Sequence, residues 1–425
     1  MMMNTPDRTG LTPTDWLCLS FLSDIGPSRL SRLYTYLSQL YAEASSESLS
    51  LFDPSDDKNN ALNCSVDPKS HLSFELLRKL KWPEVTARQA MAYLSQGELT
   101  KEQAEKRDAS LTWLSKETHF MILQDHEAYP DALKEIKVAP AFLYVEGHLD
   151  ALLSSKIGIV GARKCTRHGR DATFQLADQL SSHGIGVVSG GAMGIDTAAH
   201  QGALQSNSTP TVAVMGTGLL HRYPSQNRSL FEKIVERGAL ISEYPLTTSP
   251  RPHLFPPRNR IISGLSMGVL VAEASLKSGS LISASYAIQQ NRDVFALPGR
   301  LTDAQSAGCH QLIRQGATLV RHLDDILDEY TDRLQPESAE GKSCSSVAQG
   351  HIVSNVIQGV PETASEDART VATILEEHQK NEAASMDFDA LVHHSHLSAG
   401  TLMQVLMELE LCSCIENREG HYRRC

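Results

Sequence analysis

The stretch that decides the fold is Gly186-Val187-Val188-Ser189-Gly190-Gly191-Ala192-Met193-Gly194-Ile195-Asp196. It predicts a short apolar strand over residues 186–189, a glycine-rich turn, and a helix that begins near Asp196. Backbone N–H groups at such a turn point outward and carry the partial positive charge of a helix N-terminus. The stretch is therefore typical of an anion-binding turn at one end of a sheet.

The same alternation of strand and helix continues on both sides of this stretch. Further short strands, apolar on both faces, are predicted at residues 157–160, 211–215, 239–242, 268–272, 293–297 and 317–320. Strands of this kind, separated by helix-length segments, indicate an α/β protein with a doubly wound parallel sheet. Ligands of such sheets bind outside the carboxyl ends of the strands. The residues expected there are 161–164, 190–196, 216–218, Glu273 and 298–300.

Composition narrows the class of protein. The 425 residues suffice for two or three globular domains. No apolar run approaches the ~18 residues that span a bilayer, and the polar first ten residues do not resemble a signal peptide. The cysteines are scattered without a C-x-x-C pair, as in reduced cytoplasmic proteins. We expect a cytoplasmic protein with no membrane partner.

Charge is distributed unevenly along the chain. The formal net charge is −11, yet residues 151–300 hold 15 Lys and Arg against 8 Asp and Glu. A basic domain in an acidic chain favours a phosphate-containing partner, with ordinary variation of surface charge as the alternative. The basic run Pro256-Pro257-Arg258-Asn259-Arg260 supports the first interpretation, because arginine binds phosphate through two parallel hydrogen bonds.

Common nucleotide and catalytic motifs are incomplete. Gly216-Thr217-Gly218 follows a strand but lacks the third glycine of G-x-G-x-x-G, and no G-x-x-x-x-G-K-[ST] occurs. Asp196 and His200 share one helix face without an activated Ser or Cys beside them. A helix-capping Asp196 and an internally bonded His200 are therefore favoured over a catalytic pair. We expect no catalytic residue and no cofactor.

A metal site is also disfavoured. Cys412 and Cys414 follow His393, His394 and His396, a mixture that imitates a metal centre. Zinc ligands, however, usually occur in C-x2-4-C or H-x3-5-H pairs. We expect no metal ligand here.

Six ordered motifs across about residues 120–330 resemble the DNA processing protein A (DprA, or Smf) family. They are Val160-Gly161-Ala162-Arg163, Ser189-Gly190-Gly191-Ala192-Met193-Gly194-Ile195-Asp196, Ser242-Glu243-Tyr244-Pro245, Phe255-Pro256-Pro257-Arg258-Asn259-Arg260-Ile261-Ile262, Glu273-Ala274 with Ser278-Gly279-Ser280-Leu281, and Val294-Phe295-Ala296-Leu297-Pro298-Gly299. The resemblance implies a cytoplasmic bacterial protein that protects incoming single-stranded DNA. It also implies loading of a RecA-type recombinase during natural transformation, homodimer formation, and no enzymatic activity.

The resemblance implies a set of nucleic-acid-binding residues. Arg163 matches an arginine that contacts DNA phosphate, and Lys164 follows it. The expected set is Arg163, Lys164, Arg167, Ser189, Gly190, Gly191, Gly194, Phe255, Arg258, Asn259, Arg260, Ser278, Gly279 and Ser280. Met193 stands where many members have Lys or Arg, so one phosphate contact is expected either to be missing or to be supplied by Arg167 or Arg170.

Structural alternatives exist for some of these residues, and Glu273 is assigned a structural role as well. Phe255 either stacks on a base or fills the core. Arg258 and Arg260 point in different directions on a helix, so at least one of them is expected to be structural. Glu273 is expected to pair with an arginine of the sheet face and organise the groove rather than act in catalysis.

The resemblance also implies the domain organisation. Around a Rossmann-like DNA-binding core of residues 118–330, we expect an N-terminal helical domain of residues 1–117, like a SAM or helix-hairpin-helix domain. A linker of residues 331–367 and a winged-helix domain of residues 368–425 follow. The turn in Leu22-Ser23-Asp24-Ile25-Gly26-Pro27-Ser28-Arg29-Leu30 either offers N–H groups to DNA phosphates or is purely structural.

The resemblance further implies a dimer contact at His310, Leu312 and Ile313, beside the strand at residues 317–320. In the C-terminal domain, helices are predicted at residues 371–378, 387–394 and 398–411, followed by a two-stranded wing that turns at residues 419–420. The third helix contains no Lys or Arg, whereas a helix that reads DNA needs basic or amide side chains. This favours a protein-contact or regulatory role for the domain.

A nucleotide-processing enzyme on a related sheet is the alternative function. A phosphoribohydrolase of that kind would need the signature P-G-G-x-G-T-x-x-E. The nearest stretch, Ser189-Gly190-Gly191-Ala192-Met193-Gly194, lacks the Thr and the Glu. The sequence therefore favours the single-strand binder.

Overall fold

The computed structural model describes residues 7–50, 71–206, 208–330, 366–382, 386–395, 397, 401–402, 405–406, 409, 415–418 and 421–424. The chain forms two compact units, Met1–Pro336 and Glu337–Cys425. The domain boundaries at residues 117, 330 and 367 stay predictions.

Helices occupy the start of the first unit. They are α1 Pro13–Leu19, α2 Pro27–Ser50, α3 Phe74–Lys79, α4 Glu84–Gln96 and α5 Lys101–Leu114. Capping boxes begin α1 and α5, where Thr12 pairs with Asp15 and Thr100 with Gln103. Trp16 and Trp82 are fully buried in the core that these helices share with strands of the sheet.

A nine-stranded sheet follows, with the strand order β1-β2-β6-β5-β4-β3-β7-β8-β9. The strands are β1 His119–Leu123, β2 Phe142–Gly147, β3 Lys156–Gly161, β4 Gly186–Ser189, β5 Thr211–Val214, β6 Ala239–Ser242, β7 Gly268–Glu273, β8 Asp293–Ala296 and β9 Thr318–Leu319. In the part of the sheet ordered β6-β5-β4-β3-β7-β8-β9, all neighbouring strands are parallel. This confirms the predicted strands and the predicted parallel sheet.

The pair β1 and β2 was not predicted, and it makes the sheet mixed. The two strands are antiparallel to each other, and β2 is antiparallel to β6. They were missed because the connection between them holds only the short helix α6 Asp131–Lys134, so they fall outside the strand–helix alternation. Their effect is to connect the parallel sheet to the N-terminal helices.

Helices cover both faces of the sheet. They are α7 Arg167–Ser182, α8 Ile195–Ser206, α9 Arg228–Arg237, α10 Phe255–Gly264, α11 Ser280–Gln289, α12 Ala307–Arg314 and α13 Asp324–Leu327. Because side chains alternate along a strand, Ile159 packs in the core that includes α7 and α8, and Val160 in the core that includes α10 and α11. This two-faced packing confirms the doubly wound fold.

A buried ion pair connects α10 to the end of β6. The Arg260 guanidinium donates to both carboxylate oxygens of Glu243, at 2.7 and 2.5 Å, and its Nε donates to the Val138 carbonyl at 3.0 Å. Arg260 is 7% exposed and Glu243 is 4% exposed. Two charges removed from water in this way are stable only as a hydrogen-bonded pair.

The second unit contains α14 Glu366–Glu382, β10 Met386–Asp387, α15 Phe388–Ser395, β11 Ile415–Arg418 and β12 His421–Arg424. Residues 401–402, 405–406 and 409 of the predicted third helix are helical. The strands form an antiparallel sheet in the order β10-β12-β11. The predicted two-stranded wing is present with β10 added, and its turn at residues 419–420 lies outside the described residues.

In the described part of the chain, no helix is long and apolar enough to cross a membrane. Nor do three His, Cys, Asp or Glu side chains of those residues come close enough together to hold a metal ion. Cys412, Cys414 and His396 lie outside the described residues.

Glu243→Ala should lower the free energy of unfolding by about 3–5 kcal/mol, because it leaves the Arg260 charge buried without a partner. Glu84→Ala, which breaks the exposed pair between Glu84 and Arg88, is the control and should lower the free energy of unfolding far less, because water screens an exposed pair. Urea denaturation of both variants measures the difference. Equal losses would contradict the assignment of Glu243 as a buried counter-ion.

Candidate nucleic-acid interface

A cavity of about 330 Å³ opens at the carboxyl ends of β3 and its neighbours. The chain runs from β3 through β4, β5 and β6 in one direction and then returns to place β7 on the other side of β3. Ligands of doubly wound sheets bind at such a reversal of strand order. The lining residues are Val160, Gly161, Ala162, Arg163, Lys164, Ala192, Asp196, Phe255, Pro256, Arg258, Asn259, Ile262, Ser278, Gly279, Ser280, Ile282, Ser283 and Gln305.

Arg163 and Lys164 are exposed at the edge of this cavity. The Arg163 guanidinium carbon lies 5.8 Å from the centre of the Phe255 ring, and the Tyr223 ring centre is 5.6 Å from that of Phe255. Phe255 is half-buried: it packs over Gly216 and also lines the cavity. The edge thus combines a cation with aromatic rings.

Arg258 lines the cavity but is almost entirely buried, with 5% of its surface exposed. Its Nη1 donates to the Gly190 carbonyl at 2.8 Å and also to the Val214 carbonyl. Burial lowers the pKa of the guanidinium to about 10, although nearby Asp196 opposes the shift. Arg258 therefore ties α10 to the ends of β4 and β5.

Arg260 does not line the cavity, because its guanidinium is occupied by Glu243. The expectation that at least one of the two arginines is structural is confirmed, and both make structural contacts. The assignment of Arg260 to DNA stays a prediction, which the buried pair with Glu243 disfavours. No sequence pattern indicated this pair, since Glu243 lies 17 residues away in another motif.

The glycine turn after β4 shapes the cavity from behind. A side chain at Gly190 would collide with the Arg258 guanidinium, since an added Cβ would lie 2.5 Å from Nη2. Gly194 has a φ of +83°, and an added Cβ would lie 2.3 Å from the Ala162 carbonyl oxygen. Neither Gly190, Gly191 nor Gly194 lines the cavity. Gly190 lets the turn approach Arg258, and Gly194 lets it approach the loop that carries Arg163.

Two neighbours of this turn have structural partners. The buried Ser189 hydroxyl donates to the Ile159 carbonyl at 2.6 Å. Sequence reasoning missed Asn227, whose buried amide donates to the carbonyls of Gly191 and Ala192 at 3.0 and 3.2 Å. A single Asn in a polar segment gives no periodic signal, so only the structure reveals that it fixes the turn.

Glu273 organises the loop between β3 and α7, but its partner is not an arginine. Its carboxylate accepts the backbone N–H of Thr166 at 2.9 Å and also the Thr166 hydroxyl. Thr166 is the N-cap of α7 and accepts the Gly169 N–H at 3.0 Å. The prediction of an arginine partner is wrong because the helix N-terminus supplies the donors that a buried carboxylate needs.

The Ser278-Gly279-Ser280 turn lines the cavity and leads into α11. The Ser278 Oγ accepts the Ser280 N–H at 3.2 Å. Asn259 also lines the cavity. Arg167 lies outside the lining, on the exposed first turn of α7, where its Nε is 3.5 Å from the Asp171 carboxylate. Met193 is 41% exposed near the glycine turn and adds no charge.

Asp196 and His200 have structural partners, as the sequence predicted. The buried Asp196 carboxylate accepts the Ala192 N–H at 3.2 Å, and burial raises its pKa. The Thr211 hydroxyl donates its one hydrogen to the Val187 carbonyl. It must therefore accept in its hydrogen bond with His200, so the His200 Nδ1–H is the donor, at 2.9 Å. Burial lowers the pKa of His200 to about 3.

The residues expected at a dimer contact lie on α12, which packs against β7 and β8. Leu312 is buried, Ile313 is half-buried against the same core, and the His310 Nε2 is 3.0 Å from the Gly299 carbonyl. The neighbouring strand β9 is at the edge of the sheet, where Leu319 is 38% exposed.

Comparison with known proteins places this site in a recognised sequence family. A family model described as DNA recombination-mediator protein A matches residues 120–331, and one described as DprA winged helix domain matches residues 359–421. Protein Smf of Escherichia coli (strain K12) is 41% identical over 264 residues, which are 62% of this chain and 68% of that protein. DNA processing protein DprA of Streptococcus pneumoniae (strain ATCC BAA-255 / R6) is 46% identical over 211 residues, which are 50% of this chain and 73% of that protein.

A solved structure agrees with these matches. The X-ray structure of DNA processing protein A from Streptococcus pneumoniae superposes with a TM-score of 0.50 and 39% sequence identity. The match covers 61% of this chain and 94% of that structure.

The His200 pKa predicts a stability loss in acid. Between its ordinary pKa of 6.5 and the folded value of about 3, the unfolded chain binds a proton at His200 that the folded chain excludes. Stability is therefore present above pH 6.5 and falls as the pH decreases toward 3, by about 2 kcal/mol from this group at pH 5. Urea denaturation at pH 7 and pH 5 should show a smaller loss in His200→Gln than in the wild type. The exposed His183→Gln is the control, and a wild-type-sized loss in His200→Gln would contradict the assignment.

Proposed function

The chain belongs to the family of DNA recombination-mediator protein A, and we propose that it binds single-stranded DNA in the cytoplasm and loads a RecA-type recombinase onto it. The proposal assigns no catalytic step to the cavity. The Asp196 carboxylate accepts a backbone N–H, and His200 donates to the Thr211 hydroxyl, which in turn donates to the Val187 carbonyl. Both side chains therefore have structural partners.

The observation that carries the proposal is the pairing of exposed Arg163 with the Phe255 ring at the edge of the cavity. A single strand presents phosphates and unstacked bases together. Arginine and lysine bind the phosphates, and aromatic rings stack on the bases without sequence preference. A duplex keeps its bases stacked inside, so it gains less from Phe255 and Tyr223.

The structure supports dividing the sequence-derived residue set by role. We assign direct DNA contacts to Arg163, Lys164, Phe255, Asn259 and the turn Ser278-Gly279-Ser280, which all line the cavity. Arg167 extends the basic surface next to it. Ser189, Gly190, Gly191, Gly194 and Arg258 shape the cavity through the contacts described above. Arg260 stabilises the fold and is not assigned to DNA.

We also propose that the protein works as a homodimer through the edge formed by α12 and β9. An exposed Leu319 on a strand at the edge of the sheet favours pairing with a second copy. Two cavities in one dimer raise the affinity for a long strand through effective concentration.

Titration with single- and double-stranded oligonucleotides of equal length tests the DNA assignment. Single strands should bind more tightly, with an affinity that falls steeply in salt as counterions are released. Arg163→Ala should lower that affinity at least tenfold with little change in melting temperature. Arg88→Ala is the matched control, since Arg88 is also an exposed arginine that lies over a phenylalanine ring, 5.2 Å from the centre of Phe74. Equal affinity for duplex, or an unfolded Arg163→Ala, would overturn the assignment.

Two substitutions test the dimer. Leu319→Glu and Ile313→Glu should each give a folded monomer whose affinity falls much more for long oligonucleotides than for short ones. Ile313 is half-buried, so a thermal melt accompanies sedimentation, and Leu319→Glu changes an exposed position. A Leu319→Glu protein that stays dimeric with unchanged long-strand affinity would rule out this edge.

A further inference from the structure

A second, larger cavity of about 630 Å³ lies where the N-terminal helices meet the loop after β6. Its lining includes Gly26, which precedes α2, and Pro27 and Arg29 in the first turn of that helix. The lining also includes Arg251 and His253. Neither this cavity nor the helix-hairpin-helix-like turn beside it contains any of the DNA contacts proposed at the first cavity.

A smaller cavity of about 300 Å³ continues the basic surface around the same turn. It shares Gly26 and Arg29 with the second cavity and adds Ser28, Arg32 and Lys81. We name Arg29, Arg32, Lys81 and Arg251 the basic junction.

Charge in these two cavities is strongly one-sided. Besides the basic junction, the linings include Lys106, which also pairs with Glu102 at 2.6 Å. Their carboxylates are Asp24 and Glu243, and Glu243 is neutralised by Arg260. Residues 1–117 as a whole hold 13 Lys and Arg against 16 Asp and Glu. The cationic surface is therefore concentrated on the junction and does not reflect a basic helical region.

Arg29 holds the turn in place and keeps donors for a ligand. Its Nε donates to the Lys81 carbonyl at 2.9 Å and its Nη1 to the Asp24 carbonyl at 2.7 Å. Among the described residues, the Arg29 Nη2 has no hydrogen-bond partner. Arg32 and Arg251 are exposed, and no ion pair or hydrogen bond of their side chains is recorded there. Their guanidinium groups are free to meet an anion.

The basic junction is continuous with the first cavity along the chain. His253 and Leu254 line the second cavity, and the next residues, Phe255 and Pro256, line the first. The short 3-10 helix Pro252–Leu254 forms the ridge between them, and the Tyr244 hydroxyl fixes it by donating to the Leu254 carbonyl at 3.1 Å. A strand that leaves the first cavity over Phe255 therefore meets His253 and Arg251 next.

We propose that the basic junction binds the phosphodiester backbone of the same single strand, at nucleotides that extend beyond the first cavity. This inference rests on the proposed function. Arginine-rich surfaces of this kind also attract acidic peptides, but only a strand already held at Arg163 and Phe255 uses the continuity of the two cavities. The helix-hairpin-helix-like turn then acts as a second contact of one DNA path.

The test compares oligothymidylates of about 6 and about 20 nucleotides, lengths chosen from the usual site sizes of single-strand binders. The variant is Arg32→Ala/Arg251→Ala, which removes two exposed side chains without recorded structural contacts. Its affinity for the long strand should fall about tenfold, and the slope of log K against log salt should decrease by about 1.4, since each single-strand phosphate contributes about 0.7. Affinity for the short strand should stay unchanged.

Matched controls separate the possible outcomes. Arg88→Ala/Lys101→Ala removes the same charge from exposed helical positions and should leave both affinities unchanged, while Arg32→Lys/Arg251→Lys should restore much of the long-strand affinity. Unchanged long-strand affinity in Arg32→Ala/Arg251→Ala, or an equal loss for both lengths, overturns the inference. Junction-dependent binding of polyglutamate without junction-dependent binding of the long strand also overturns it, in favour of an acidic protein partner. The proposed function fails separately, if wild type and Arg163→Ala bind the short strand equally.

Discussion

The buried guanidinium of Arg258 is the interaction on which the site depends. A permanently charged group is removed from water at the carboxyl ends of β4 and β5, and the carbonyls of Gly190 and Val214 replace its hydration. This arrangement requires glycine at position 190, because any Cβ would occupy the space of the guanidinium. The glycine turn, α10 and the two strands are thus fixed by one side chain, and the cavity forms in front of it.

The site contains two kinds of positive side chain. Buried ones make contacts within the protein, and exposed ones remain available to a ligand. Arg258 and Arg260 are buried and donate hydrogen bonds to groups of the protein, whereas Arg163 and Lys164 are exposed at the edge. Glu273 belongs to the framework as well, since it fixes the start of α7 and so the loop that carries Arg163. A ligand therefore meets a preformed surface and does not have to order this loop.

The sequence predicted the parallel strands because each is a short apolar run between helix-length segments, a pattern that hydrophobic burial on two faces imposes locally. It did not predict β1 and β2, whose pairing depends on contacts with the distant β6 and the N-terminal helices. The sequence also did not predict the partners of Arg260 and Glu273. Both depend on partners 17 and 107 residues away, and an arginine or a carboxylate in a motif looks the same whether it faces solvent or another charge.

The two edges of the nine-stranded sheet differ, and the difference limits how copies of the chain can join. At β1 the outer side is occupied by the chain itself: the Trp113 ring stacks on His119 at 4.0 Å, and α5 ends beside the strand. At β9 the edge is two residues long and leaves Leu319 exposed. A sheet with open edges at both ends can add copies without limit and grow into fibres. If copies pair through β9, as proposed above, α5 beside β1 opposes a second strand pairing and limits that assembly to two copies.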